Sequence, residues 1–532
     1  MLRSDLWVIA IYLLGMMGIG CWVSSGARDV EGFTVGNRAL PSWAVGMSVL
    51  GTFLSSITFL ALPAKTYAQG NWNAAIFGFM PPVAAAVAVV YFVPLYRRRV
   101  RLSAYEFLEQ RFGYWARAYG AIANIALQLI RIGTVLLLVA LAVEPMLQWA
   151  TPEGWDGQAW QSAKILGLIG VCGIVVIIYD LLGGIQAVVW TDVAQVVVLT
   201  VGAVWVLVSL MVDGTQGPRE FVAAMPLERL EFGRFWNWDA QTGFWDWGAT
   251  TVLVTGLYGL TENLRNYGTD QNYVQRMLCV RDDAAAIRSL QLGAWGYVPL
   301  NVVFCLIGTA LWMHYHQGSG QLPEHLPADA VLPYYITSEL PRPIAGLVIA
   351  AIMAAAMSTI DSSMNSCSMV ALADLVLRWR RGPGWLPDIV ILRLFTATLG
   401  ILGTGVSAWL YLSQGDASRT VMDVWWQYAG TAGGGLFGLF LLAWWAPRLP
   451  AWGAALAVIA TVPVLAWGTF ARKLSADSPW KPWECPLHPN LVGITGTVAM
   501  LALAGIILLG VRAGFVAANP RAGREDGPPT VT

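Results

Sequence analysis

Long apolar runs recur along the whole chain, separated by short polar stretches, and each run is long enough to cross a hydrocarbon core of ~30 Å as a helix of about 20 residues. Thirteen such segments are read, at about 5–24, 42–65, 73–96, 117–149, 162–183, 187–212 and 245–267, then 287–314, 342–377, 388–413, 422–446, 450–470 and 490–511. They are numbered 1 to 13 below. The pattern predicts an all-α polytopic membrane protein with one domain over residues 1–532. Composition agrees, with 57% hydrophobic and 12% charged residues, and excludes a soluble domain. The 32 basic and 32 acidic residues leave no net field to attract nucleic acid.

Polar residues inside an apolar run carry most of the information, because a charge at the bilayer centre costs ~2.5–3.5 kcal/mol even on the lenient insertion scale. Segment 9 gathers Ser358, Thr359, Asp361, Ser362, Ser363, Asn365 and Ser366 near its middle. Ala355, Ser358, Thr359 and Ser362 follow the i, i+3, i+4, i+7 spacing and share one helix face. With backbone carbonyls of Gly51 and Leu54 they would form a weak, mostly neutral oxygen cage for a hard monovalent cation. The competing reading is that each hydroxyl bonds back to its own helix.

Segments 2 and 7 are both rich in helix-interrupting residues. The former carries Gly46, Ser48, Gly51, Thr52, Ser55, Ser56, Thr58 and Pro63, the latter Gly256, Gly259, Thr261, Glu262, Asn263 and Gly268. Interrupted helices in corresponding positions of two halves mark the binding site of several inverted-repeat transporters. Segments 4 and 9 are both longer than a crossing needs, as tilted helices are. The organisation expected is a peripheral helix at 5–24, inverted repeats of five helices at 42–212 and 245–446, two peripheral helices at 450–511 and a tail at 512–532.

Asp192 near the start of segment 6 is either a carboxylate favoured by the helix dipole or a ligand for a departing ion. Arg131, well inside segment 4, matches a solute carboxylate through its bidentate fork or pairs with a buried acid such as Glu262. Glu262 has the converse choices, pairing or taking a proton. His314, His316, His325 and His488 read as solvated residues in or beside loops. Of six cysteines, only Cys485 falls in an outside loop, and no disulfide or metal spacing appears. Segment 1 resembles a signal peptide followed by Ser24, Ser25, Gly26 and Ala27, or a lipoprotein signal ending at Cys21. Gly18 and Asp5 fit those poorly, so an uncleaved helix is expected.

Basic loops are retained on the cytoplasmic side. Arg97, Arg98, Arg99, Arg101, Arg111 and Arg117 define one inside loop, and alternation adds Arg276, Arg281 and Arg288, then Arg378, Arg380 and Arg381, then Arg512, Arg521 and Arg524. The N-terminus is expected outside and the C-terminus in the cytoplasm of a cell (inner) membrane. Arg219, Arg229 and Arg234 run against the rule in a long outside loop, which translocates largely regardless of charge.

Five ordered motifs resemble the sodium:solute symporter family, which includes sodium-coupled galactose, proline and sialic acid carriers. They are PSWAVG at 41–46, RRR at 97–99 with LSAYEFLEQRFG at 102–113, GGIQAVVWTD at 183–192, YGTDQNYVQR at 267–276 and MST at 357–359. The resemblance implies a leucine-transporter-like fold and Na+ as the coupling ion. It implies a main sodium site at Gly51, Leu54, Ala355, Ser358 and Thr359. A second sodium site would use Asp192 and Ser362, with Asp361 where the family has a hydroxyl. Ser55, Thr58, Asn263 and Arg131 match the family's solute positions. Thr58 replaces the amide of the sugar-binding branch, and Arg131 resembles the arginine that clamps the carboxylate in the sialic acid branch.

The function expected is sodium-coupled symport of a small organic solute, an acidic sugar such as a sialic acid first among them. A neutral sugar, an amino acid or a monocarboxylate is the alternative solute. A non-transporting membrane sensor is the rival class, and the absence of a signalling domain speaks against it. No His or Cys constellation in the segments supports an enzyme.

Overall fold

The structure is a computed structural model, and it describes residues 3–24, 30–147, 151, 152, 154–181, 184–213, 217–239, 244–318, 320–323, 326–380, 386–413, 421–471 and 478–513. Of the residues singled out above, Ser25, Gly26, Ala27, Gly183, His325, Arg381, Arg521 and Arg524 lie outside the described residues, as does the tail beyond Ala513.

Among the described residues each of the thirteen segments contains a helix, but segment 7 begins only at Val252, Trp245 lying in a short strand paired with Trp238. In order the helices are Arg3–Ser24, Ser42–Phe53 continuing as Ile57–Ala61 and Leu62–Gln69, Ala75–Arg99, Tyr114–Leu147, Gly157–Asp180, Ile185–Asp213 and Val252–Thr269. Asp283–His316, Ile344–Val370, Asp388–Ser413, Val421–Trp445, Ala451–Phe470 and Val492–Arg512 follow. Among the described residues nine helices are long and apolar enough to cross a membrane, and the bent pair of segment 2 makes a tenth. Segments 1, 7 and 11 fall short by that measure. Segment 7 falls short because Glu262, Asn263, Arg265 and Asn266 within its 18 residues lower its mean hydropathy, which suits a helix that faces protein rather than lipid.

Helix starts follow local capping chemistry. Thr251 opens segment 7 by accepting from the Val254 amide at 3.3 Å, and Asp282 opens segment 8 by accepting from Ala285 at 2.8 Å. Segment 9 is the hub, with 83% of its apolar window buried against 28% for segments 5 and 10. It packs on segments 1, 4, 5, 6 and 10.

Both interruptions exist, but one is displaced. Segment 2 breaks between Phe53 and Ile57 with a bend of 53°, where the sequence placed it. Segment 7 runs unbroken through Gly256, Gly259 and Gly268 and breaks at Asp270, whose extended backbone (φ −82°, ψ 119°) separates it from the helix Gln271–Leu278. The glycines serve packing instead: a Cβ at Gly259 would lie 2.9 Å from Met80 Cγ, and one at Gly268 would lie 2.6 Å from Phe92 Cζ. Small residues thus let segment 7 press against segment 3. Asp270 ends the segment because its side chain caps the next helix, accepting from the Asn272 amide at 2.9 Å.

Candidate ion and solute site

The break in segment 2 is made by a few backbone bonds. Leu54 leaves the helical region (φ −87°, ψ 83°), and the Ser55 amide donates to the Phe53 carbonyl at 3.2 Å. The Gly51 carbonyl therefore loses the donor that helix geometry would have supplied four residues later. The chain resumes in a wide turn over Ile57–Ala61, where Thr58 Oγ1 donates to the Phe53 carbonyl at 2.9 Å.

Gly51 also sits at a close approach. A Cβ there would lie 3.1 Å from Ser358 Oγ and 3.6 Å from Asp192 Cβ, so segments 2, 6 and 9 converge at this glycine. Ser358 donates to Asp192 Oδ1 at 2.5 Å. Thr359 Oγ1 donates to the Ala355 carbonyl at 3.1 Å, the back-bond to its own helix that sequence reasoning weighed against a ligand role. Leu54, Ala355 and Thr359 are buried. Among the described residues no group of three or more His, Cys, Asp or Glu side chains is placed to hold a metal ion. Neutral hydroxyl and carbonyl oxygens fit a weakly held sodium ion that must leave in each cycle.

Asp192 lies about two turns inside segment 6, not at its N-terminus, and is fully buried. The dipole reading therefore does not hold. Ser48 and Ser358 both donate to its carboxylate, and Arg276 Nη2 donates to Oδ2 at 3.0 Å. The same guanidinium donates through Nε to Ser48 at 2.8 Å, through Nη2 to Ser362 at 2.7 Å and through Nη1 to the Asn272 carbonyl at 2.9 Å. Arg276 was read above as part of a basic inside loop; it is fully buried and leads into the core from the Gln271–Leu278 helix. Asp192 and Ser362 are thus joined through a resident protein cation. Asp361 stands apart, with both oxygens buried and without a hydrogen bond.

On the solute side, one cavity is lined by Ser55, Thr58, Arg131, Glu262, Arg265 and Asp270, with Trp425 and Trp426 completing a wall. Arg131 Nη2 donates to the Thr52 carbonyl at 2.7 Å, and Nη1 stands 4.0 Å from Asp270 Oδ2. That oxygen is already engaged by Gln128 Nε2 at 2.9 Å. Arg131 lines the cavity with its Cζ 5.9 Å from the Trp425 ring and no carboxylate within hydrogen-bond distance. Glu262 does not pair with Arg131; it is held by Arg265, Nε to Oε2 at 2.9 Å and Nη2 to Oε1 at 2.5 Å. Asn263 turns its amide to the Gly259 carbonyl at 2.7 Å and does not line the cavity, whereas Asn266 does.

Sequence reasoning missed Arg265, Asp270, Arg276, Trp425 and Trp426. The i, i+3 spacing of Glu262 and Arg265 was the available signal for the first. Histidine needs one correction: His314 is buried and its Nε2 lies 2.5 Å from Glu339 Oε2. Cys485 is buried as well.

At the end of the bundle that carries Arg97, ion pairs tie elements together. Arg117 bridges Glu109 and Asp374, both at 2.6 Å, and Arg378 reaches Glu109 at 2.7 Å. Partial burial pushes the Glu109 carboxyl upward, but hydrogen bonds and charge from Arg117 and Arg378 outweigh it and hold it below its ordinary value.

The sodium:solute symporter family model matches residues 33–461, most of the chain. The chain belongs to the sodium:solute symporter family. Family relatives include the sodium/sialic acid symporter NanT of Aliivibrio fischeri, 29% identical over 87% of each chain. The sodium/sialic acid symporter SiaT of Proteus mirabilis is 30% identical over 85% of this chain and 86% of its own. A human sodium-coupled monocarboxylate transporter 1 is 26% identical over 90% of this chain and 74% of its own. A solved substrate-bound, outward-open Na+-coupled sialic acid symporter superposes with a TM-score of 0.81 at 27% identity, covering 97% of this chain and 99% of that one. The nucleobase-cation-symport transporter Mhp1 in a closed conformation (TM-score 0.56, 14% identity, 90% and 95% coverage) shares the fold alone. This symporter is therefore a multi-span, sodium-coupled membrane transporter of that family.

Proposed function

We propose that this symporter imports a carboxylated sugar of the sialic acid class together with sodium across a cell membrane. The observation that carries the solute assignment is Arg131: a half-buried guanidinium lining the cavity with one carbonyl bond and a carboxylate no nearer than 4.0 Å. Its bidentate fork suits a carboxylate, and Trp425 and Trp426 line the same cavity. Ser55 and Thr58 supply hydroxyls at the break of segment 2. The similarity to two sialic acid symporters over most of the chain supports the same class.

Sodium binds at Gly51, Leu54, Ala355, Ser358 and Thr359 in this reading. The Thr52 carbonyl of the helix broken beside Gly51 accepts from Arg131, so an ion that fixes the break pre-positions the solute clamp. Asp192 and Ser362 form a second ion region in which Arg276 serves as counter-charge, and Asp361, bonded to neither, stands beside it. Segments 2–6 and 7–11 act as the two inverted halves, supported by breaks at Leu54 and Asp270 five segments apart. The basic end holding Arg97 faces the cytoplasm.

Linkage tests this directly, since each ligand must raise the affinity of the other by the same factor. Isothermal titration of the purified protein with N-acetylneuraminate should give tight binding in NaCl and at least tenfold weaker binding in choline chloride. Equal affinity in the two salts would refute sodium coupling. Binding of a neutral sugar in preference to the acid would refute the Arg131 assignment alone.

A further inference from the structure

Four polar side chains from four helices lie buried in the core, and the atoms named below have no hydrogen-bond partner outside the group. Asp361 on segment 9 leaves both carboxylate oxygens without a hydrogen bond, and Asp180 on segment 5 leaves Oδ2 so. Gln195 on segment 6 leaves both amide atoms unpartnered, and Tyr12 on segment 1 leaves its hydroxyl so. Each is at least nine-tenths buried: Asp361 0%, Gln195 1%, Asp180 4% and Tyr12 8% exposed. They are neighbours. Tyr12 lies against Gln195 and within electrostatic reach of Asp361, and Asp361 feels Asp180 and Asp192. Segment 9 packs on segments 1, 5 and 6.

Buried polar atoms in native proteins nearly always find partners, and a desolvated carboxylate without one is costly. The charge balance deepens the problem. Asp180, Asp192 and Asp361 are three carboxylates, and Arg276, the one guanidinium bonded among them, is committed to Asp192. Of the other charged groups described on the packed elements, Asp5 of segment 1 is with Arg342, Lys164 of segment 5 is with Glu144, and Asp374 beyond segment 9 is with Arg117. Asp180 is also the last residue of its helix, Gly157–Asp180, where the dipole already places negative charge. A cation is what this arrangement lacks.

We propose that Asp180, Gln195, Asp361 and Tyr12 bind one monovalent cation, sodium, at a site separate from the cage at Gly51 and Ser358 and from the Asp192–Arg276 pair. The unpartnered oxygens are Asp361 Oδ1 and Oδ2, Asp180 Oδ2, Gln195 Oε1 and the Tyr12 hydroxyl. An all-oxygen set with two carboxylates suits a hard cation, and the neutral amide and phenol keep its charge low enough for a monovalent one. Bridging four helices, the ion would hold the peripheral segment 1 to the core. The choice of sodium rests on the sodium-symport reading; the unpartnered cluster does not.

The test is equilibrium binding of radioactive 22Na+ to the purified full-length protein. Asp180→Asn and Gln195→Leu are each expected to remove one sodium per chain, or to weaken one class of sites at least tenfold, and Tyr12→Phe to weaken it less. Size-exclusion profile and thermal unfolding confirm that each variant is folded, and Gln195→Leu leaves all charges in place should Asp180→Asn fail. Unchanged stoichiometry and affinity in folded Asp180→Asn and Gln195→Leu, with sodium lost in Ser358→Ala, would overturn this site and leave the symport reading standing. No sodium binding by the wild type would overturn both.

Discussion

Replacing Arg276 by Met removes the cation at the centre of a buried hydrogen-bonded network. Its guanidinium bonds Ser48, Asp192, Ser362 and the Asn272 carbonyl. Without it Asp192 keeps only the Ser48 and Ser358 hydroxyls as donors. Breaking a buried pair on one side costs about 3–5 kcal/mol because the other charge is left uncompensated. Arg276→Met should therefore lose about that much stability in sodium-free buffer, measured by denaturant-induced unfolding in micelles. Asp192→Asn added to it should return a large part, giving a coupling of at least ~1.5 kcal/mol in a double-mutant cycle. Sodium offers a second reading of the same variant. With Ser48, Asp192 and Ser362 freed, the ion takes the place of the guanidinium, and NaCl at 100 times Kd should restore about 2.7 kcal/mol that KCl does not. The reasoning fails if Arg276→Met costs under ~1 kcal/mol, or if the two substitutions add within ~0.5 kcal/mol.

Other expectations follow from the same geometry. Ser358→Ala and Thr359→Ala should each raise the sodium concentration for half-maximal uptake about tenfold or more, equivalent to ~1.4 kcal/mol, and an unchanged sodium curve in both removes the assigned cage. Arg131→Ala should weaken acid binding by about 2–3 kcal/mol, as loss of a charged hydrogen-bonded partner does, while 22Na+ binding persists; Arg131→Lys should rescue little, because the fork is lost. Glu109 has its protonation held below the ordinary value of 4.5 in the folded protein. Its pairs therefore stabilise fully above about pH 4.5 and are lost as pH falls through the lowered value. Glu109→Gln should flatten that acid limb of the stability profile, and an identical limb would contradict the pairing.

The helical, membrane-spanning character was legible because apolar run length is a direct physical requirement of the bilayer. The break in segment 2 was legible too, since Gly51, Ser55 and Ser56 cluster where carbonyls must be released. Segment 7 was misread because glycine has two uses. There Gly259 and Gly268 admit Met80 and Phe92, and the break was delegated to a capping aspartate, Asp270. Gly51 and Ser358 were picked from pattern and do converge. Arg276 shows the limit of charge rules: a basic residue near a loop counts as an orientation signal, yet its long stem carries the charge to a carboxylate 84 positions away in sequence. Tertiary pairing of that kind leaves no periodicity. The unpartnered group around Asp361 was half visible, as one acid in an apolar run. Asp180, Gln195 and Tyr12 come from three other helices, and their meeting is a property of packing.

The most direct measurement is uptake of labelled N-acetylneuraminate into proteoliposomes with an imposed inward sodium gradient and the membrane voltage clamped near zero. Sodium-coupled symport predicts transient accumulation above the outside concentration, abolished when sodium is equal on both sides and absent in Arg131→Ala. Equilibration to the outside concentration and no further, with or without the gradient, would contradict it.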